Sequence, residues 1–199
     1  MDTTADTLLE LVRTKGLLRP CDLAPLGIPR VSLKRAVRRG QLVRVGRGLY
    51  GLAERPLSAH GSLAEVARRV PKGVVCLLSA LRFHGLTTQA PFEVWLAIDN
   101  KAAVPRFDYP PLRVVRFSGA ALCEGVEEHV VDGVPVRVTS VAKTVADCFK
   151  YRNKIGLDVA LDALREAWDN ARMSSDALWH CAKIDRVANV MRPYLESLA

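Results

Sequence analysis

The sequence predicts an α+β fold in two parts. Three short helices and a β-hairpin come first, then a mixed α/β domain whose C-terminal part is helical. Three observations carry this expectation. Apolar residues recur at helical spacing over residues 5–39 and then switch to a period of two. The middle of the chain, Phe92 to Val138, is rich in β-branched residues and contains an Asp132-Gly133 turn signal. From Ser140 onward the helical period returns.

The N-terminal elements follow in order. Residues 5–15 place Leu8, Leu11 and Val12 on one helix face, and Gly16 stops it. Pro20 opens a short helix over 20–26, where its missing N–H costs nothing, and Gly27 ends it. Pro29 opens a third helix that runs to about Arg39 before Gly40, with Leu33, Ala36 and Val37 inward. Leu42 to Val45 is a strand, Gly46-Arg47-Gly48 a tight turn, and Leu49 to Leu52 the return strand. Three helices followed by such a hairpin make a winged helix-turn-helix, assigned to residues 1–55.

Residues 53–60, with Pro56, read as a linker into a second domain over 56–199. That domain divides into an α/β part (56–139) and a helical part (140–199). Helices are expected over 62–70 (Leu63, Val66, Ala67 and Val70 on one side) and over 76–84 before Gly85. Phe92 to Ile98 and Leu112 to Phe117 read as strands, and Val126–Val131 with Val134–Val138 as a hairpin. Val141, Val145, Cys148 and Phe149 stripe one helix, and Leu157, Leu161, Leu164 and Trp168 another over about 156–170. Ser174 or Ser175 caps a helix through Ala182, and a final helix covers about Val187 to Leu198.

Composition narrows the function classes. Of 199 residues, 49% are apolar and 25% charged, ordinary for a globular protein. No apolar run approaches the ~18 residues that span a membrane. The acidic start Met1-Asp2 is unlike a secretory leader, so the cytoplasm is the expected location. Five widely spaced cysteines (Cys21, Cys76, Cys123, Cys148 and Cys181) read as buried free thiols. The net charge of +8 is uneven. Residues 1–55 hold eleven Lys or Arg against five acids, a net +6, while the other 144 residues carry only +2. Such asymmetry points to a polyanion as partner of the N-terminal part.

The third helix concentrates that charge. Its outward positions are Arg30, Val31, Lys34, Arg35 and Arg38, with Ser32 near its start and Arg39 at its end, and no acid interrupts them. A helix of this kind fits the major groove of double-stranded DNA. There an Arg can pair two donors with guanine, and Val31 can touch a thymine methyl. Lys34, Arg38 and Arg39 suit phosphates equally well. Arg44 and Arg47 lie on the wing, where the tip can meet a phosphate or enter a minor groove. The competing reading is a solvated basic helix in a protein–protein module.

Catalytic signals are sparse, and no catalytic residue, metal site or cofactor is expected. His60, His84, His129 and His180 lack ligand spacing, and no phosphate-cradling loop or nucleophile elbow occurs. Asp99 and Lys101 at a strand end hint at a metal nuclease, with Glu65 and Glu93 as the upstream carboxylates. Glu93 shares that strand, so the expected second strand is missing. Ser79 reads as a capping or packing residue, and His84 as a helix-end histidine favoured by the dipole. Lys143 and Asp147, four apart, read as an intrahelical ion pair of ~0.3–0.5 kcal/mol or as part of a recognition surface.

Several stretches resemble the AbiEi-type antitoxins of type IV toxin–antitoxin systems. Leu17-Leu18-Arg19-Pro20-Cys21-Asp22-Leu23, Gly27-Ile28-Pro29-Arg30 and Leu42-Val43-Arg44-Val45-Gly46-Arg47-Gly48-Leu49-Tyr50 are similar to that family's N-terminal domain. Leu78-Ser79-Ala80-Leu81, His84-Gly85-Leu86, Phe92 to Ala97 and Val138 to Phe149 are similar to its antitoxin domain. The resemblance implies a winged domain that represses its own promoter at inverted repeats. It also implies a C-terminal domain that counteracts a nucleotidyltransferase-like toxin without a stable complex, with Lys143, Thr144 and Asp147 as its antitoxicity surface. It implies a role in abortive infection and phage defence. The alternative is a stand-alone winged-helix regulator whose C-terminal domain senses a ligand or a protein.

Overall fold

A computed structural model describes residues 3–54 and 58–198. The expected linker at 53–60, and with it the domain boundary at 55/56, falls partly on residues 55–57, outside the described residues. The leader reading at Met1-Asp2 falls outside them too.

The chain forms two compact units. The first comprises residues 1–69 together with 130–136. Its helices are α1 (Thr3–Lys15), a 3-10 helix (Pro20–Leu26), α2 (Val31–Arg38) and α3 (Gly61–Arg69), and its hairpin is β1 (Leu42–Gly46) with β2 (Leu49–Leu52). Leu8 and Val12 of α1, Leu23 of the 3-10 helix, and Leu33 and Ala36 of α2 meet Leu18, Ile28 and Leu42 in one core. Leu18 and Tyr50 exchange backbone hydrogen bonds of 2.8 and 3.0 Å, so the segment before the 3-10 helix adds a short third strand to the wing.

The turn of the wing is one residue shorter than expected. Gly46 belongs to β1, and only Arg47-Gly48 forms the tip, with Gly48 at φ +71°. That left-handed backbone is where glycine has no Cβ penalty. Gly46 serves a different end: a Cβ there would lie 2.5 Å from Nη2 of Arg69. Helix α3 is tied to the same unit by Arg68, which donates to the Leu17 carbonyl (2.8 Å) and to the Asp22 carboxylate (2.5 Å). Asp22 also accepts from the Arg19 N–H at 2.6 Å.

The second unit comprises residues 70–129 and 137–199. Its strands are β3 (Val74–Val75), β4 (Val94–Asp99), β5 (Leu112–Phe117), β6 (Val126–Val131) and β7 (Val134–Thr139), in the order β5-β4-β3-β7-β6. β4 runs parallel to β5 and antiparallel to β3, and β3 runs parallel to β7. The expected Asp132-Gly133 turn is present, with both residues at positive φ. Residues 130–136 at the tip of this hairpin belong to the first unit, where Gly133 lies against the backbone of Gly16.

The helices are α4 (Leu77–Phe83), α5 (Ala120–Cys123), α6 (Val141–Lys150), α7 (Arg152–Ile155), α8 (Leu157–Asp169), α9 (Ser175–Ile184) and α10 (Ala188–Glu196). α6 is central: every residue from Ala142 to Phe149 is buried. α4, α8 and α9 pack on it. Ser174 caps α9 by accepting from the Ala177 N–H.

Three further expectations need correction. β4 starts at Val94, and Phe92 is 89% exposed. Val94 to Ile98 are all buried, so side chains of both faces of β4 are covered, and β5 and β3 pair with its two edges. The buried face of α8 is Ala160, Ala163, Leu164 and Ala167, whereas Leu157 is exposed. Small alanines let α8 approach α6 closely, which the leucine stripe does not. Of the five cysteines only Cys76, Cys148 and Cys181 are buried, while Cys21 and Cys123 are exposed.

Candidate nucleic-acid interface

Local sequence sets the orientation of α2. Gly27 takes a left-handed conformation and ends the 3-10 helix, and Ile28 turns into the core. Pro29 then supplies the first carbonyl of the new helix, accepting from the Ser32 N–H at 2.9 Å. Arg30 stands at the N-cap with helical backbone angles and no side-chain cap. Leu33 and Ala36 are 1% and 4% exposed, so α2 is fixed to the core by that face.

Val37 packs against the same core, as its spacing predicts, and the other positions of α2 face outward to different degrees. Arg30, Lys34, Arg35, Arg38 and Arg39 are exposed, Val31 is 47% exposed, and Ser32 is half-buried. The helix has no acid in its first turn, although an acid there would favour the dipole. Arg30 with Lys34, Lys34 with Arg38, and Arg35 with Arg39 are like charges four residues apart. Each such pair costs ~0.2–0.5 kcal/mol in a free helix. A polyanion on this face would relieve such repulsion.

The wing adds Arg44 and Arg47, both exposed. Arg44 Nε donates to the Gly46 carbonyl at 3.3 Å, and Arg47 stands at the tip. Val43, 40% exposed, lies beside Arg44 on β1. A concavity of about 150 Å³ flanks α2, lined in part by Ala5, Leu8, Pro29, Ser32, Arg35 and Gln41. The Gln41 side-chain oxygen is buried there without a hydrogen-bond partner among the described residues. Sequence reasoning missed Gln41 because it follows Gly40, outside any periodic stretch.

The suggested antitoxicity surface is not a surface. Lys143, Thr144 and Asp147 are all fully buried, because α6 is surrounded. Lys143 Nζ contacts Asp147 Oδ1 and donates to Asp185 Oδ2 at 2.9 Å. It also stands 4.9 Å from the centre of the Phe117 ring. Lys150 reaches the same Asp185 at 3.3 Å. Burial acts against the Lys143 ammonium, but the two carboxylates outweigh it and hold its pKa above the ordinary lysine value. Thr144 shares a hydrogen bond with the Thr139 hydroxyl at 2.8 Å. The group is an internal cross-link between α6 and the end of α9.

The other singled-out residues have structural partners. Ser79 accepts from the Trp95 N–H at 2.9 Å. His84 caps α4 with Nε2 2.7 Å from the Thr139 carbonyl. Burial lowers its pKa, so it stays neutral near pH 7 and gains nothing as a cation from the dipole. Asp99 accepts from the Lys101 N–H, and Glu93 pairs with Arg113 at 2.7 Å before the other end of β4. Asp99 and Glu93 thus stand at opposite ends of one strand, about 20 Å apart at ~3.3 Å per residue, too far to share a metal ion.

Known proteins resemble this chain in two ways. Residues 6–53 match the family described as "Transcriptional regulator, AbiEi antitoxin". The matched segment contains α1, α2 and the wing, so the regulator signature of that family lies on the helix and hairpin described above. The crystal structure of the RV2827C protein from Mycobacterium tuberculosis superimposes with a TM-score of 0.59 at 15% identity. That match covers 98% of this chain and 82% of the other, which establishes a shared fold. No curated protein matches the chain. No helix among the described residues is long and apolar enough to cross a membrane.

Proposed function

We propose that this chain is an autorepressing antitoxin that binds double-stranded DNA through α2 and the wing of residues 1–55. The observation that carries the reading is the acid-free outer face of α2, held outward by Leu33 and Ala36 within a segment that matches a transcriptional-regulator family. α2 enters a major groove at promoter inverted repeats. Arg30, Val31, Ser32 and Arg35 lie nearest the base edges, and Lys34, Arg38 and Arg39 reach phosphates. Arg44 and Arg47 follow the wing onto the neighbouring backbone or minor groove. Residues 56–199 counteract a nucleotidyltransferase-like toxin in the cytoplasm, by an action that is not catalytic and needs no stable complex.

Two experiments test the two halves. Mobility shift on a duplex carrying the chain's own promoter should show retention that survives competitor DNA, and equal loss to any competitor sequence would refute operator binding. Co-expression with the adjacent gene product should restore growth, and restoration should survive Lys34→Ala with Arg38→Ala. Failure to rescue any nucleotidyltransferase-like neighbour would refute antitoxicity while leaving DNA binding standing.

A further inference from the structure

Three helices of the second unit converge on a cavity of about 250 Å³ that the proposed function does not use. Trp168 of α8, Ser175, Leu178 and Trp179 of α9, and Leu195 and Glu196 of α10 line it. Leu178 and Leu195, 0% and 8% exposed, contribute apolar walls, and both indoles are half-buried. The polar groups around this lining are unengaged. Ser175 and Glu196 are exposed at its mouth, and among the described residues no hydrogen bond or ion pair takes up the Glu196 carboxylate, the Ser175 hydroxyl or either indole N–H. Arg192, four residues before Glu196 on α10, does not pair with it.

Two indole side chains, apolar walls and one unpaired carboxylate at the mouth suit a specific chemistry. An indole attracts a cation over its ring, and ammonium groups with an apolar body use both features. The size is informative as well. A dry apolar cavity of about 150 Å³ takes benzene, and pockets for drug-sized ligands start at about 300 Å³. The space here lies between them.

We infer that this cavity binds a small organic ammonium ion with a single apolar ring. The ring lies between Trp168 and Trp179 against Leu178 and Leu195, and the nitrogen meets Glu196. This site is independent of the DNA-binding reading.

The test uses the full chain with phenethylamine as the probe, followed by tryptophan fluorescence. A saturable change is expected. It should persist in Trp95→Phe, whose indole belongs to β4, and lose most of its amplitude in Trp179→Phe. Glu196→Gln, and separately the uncharged analogue 2-phenylethanol on the unaltered chain, should each bind about two- to fivefold more weakly, the order expected for one exposed charge pair. Equal affinity for the amine and the alcohol would overturn the inference, and so would the absence of saturation with the amine. Tighter binding of Nα-acetyl-lysine methylamide than of phenethylamine would overturn it in favour of a lysine side chain of a partner protein.

Discussion

Single residues decide more in the buried cluster than on the surface. Lys143 is enclosed with Asp147 and Asp185, so its removal leaves two carboxylates without their cation. Lys143→Met should therefore lower stability by about 3–5 kcal/mol, far above the tenths expected for an exposed helix pair. Urea unfolding measures this, and a loss under 1 kcal/mol would contradict the cluster. The pairing of Lys143 with Asp147 was legible in sequence, because four residues bring two side chains to one helix face. Asp185 was not, since it lies 42 residues away and only the packing of α9 on α6 joins them. His84 gives a pH signature. Its folded pKa lies below the unfolded value of about 6.5, so the unfolded chain takes up the proton first. The contribution is complete above about pH 6.5 and declines as the pH falls below it. His84→Gln should flatten that part of the stability profile, and parallel profiles for the two proteins would refute the assignment.

Elements were legible where a stripe of leucines or valines coincides with glycine or proline punctuation. α1, the 3-10 helix, α2 and the wing all satisfy this, as does the Asp132-Gly133 hairpin. Elements too short for a period escaped: β3 has two residues, and α5 and α7 have four each. α8 shows a third case. Its leucine stripe is real, but alanines form the tighter interface with α6, so size decided the packed face. The hairpin tip supplies a test at this scale. Gly133 has φ +75°, and a Cβ there would lie 2.9 Å from Gly16 Cα. A side chain is disfavoured there both by the backbone conformation and by the contact. Gly133→Ala should thus cost about 1–3 kcal/mol, read as a fall in the urea midpoint with unchanged slope. An unchanged midpoint would mean that the tip does not rest on Gly16.

For the whole molecule, charge is divided unequally: residues 1–55 carry +6 of the total +8. This division was fully legible, because it needs only counting, and the outward placement of α2 gives it a surface on which to act. The chemistry of the second unit was not legible. Its central polar residues proved internal, and its aromatic cavity arises only from how three successive helices, α8, α9 and α10, pack on one another. The central claim is that the outer face of α2 contacts the DNA backbone. Lys34→Ala with Arg38→Ala tests it most directly, by anisotropy titration of the promoter duplex at several salt concentrations. Each phosphate contact contributes about 0.9 to the slope of log affinity against log salt. The double variant should bind more weakly and with a slope shallower by about 1–2. Unchanged affinity and an unchanged slope would place the DNA on another face of the protein.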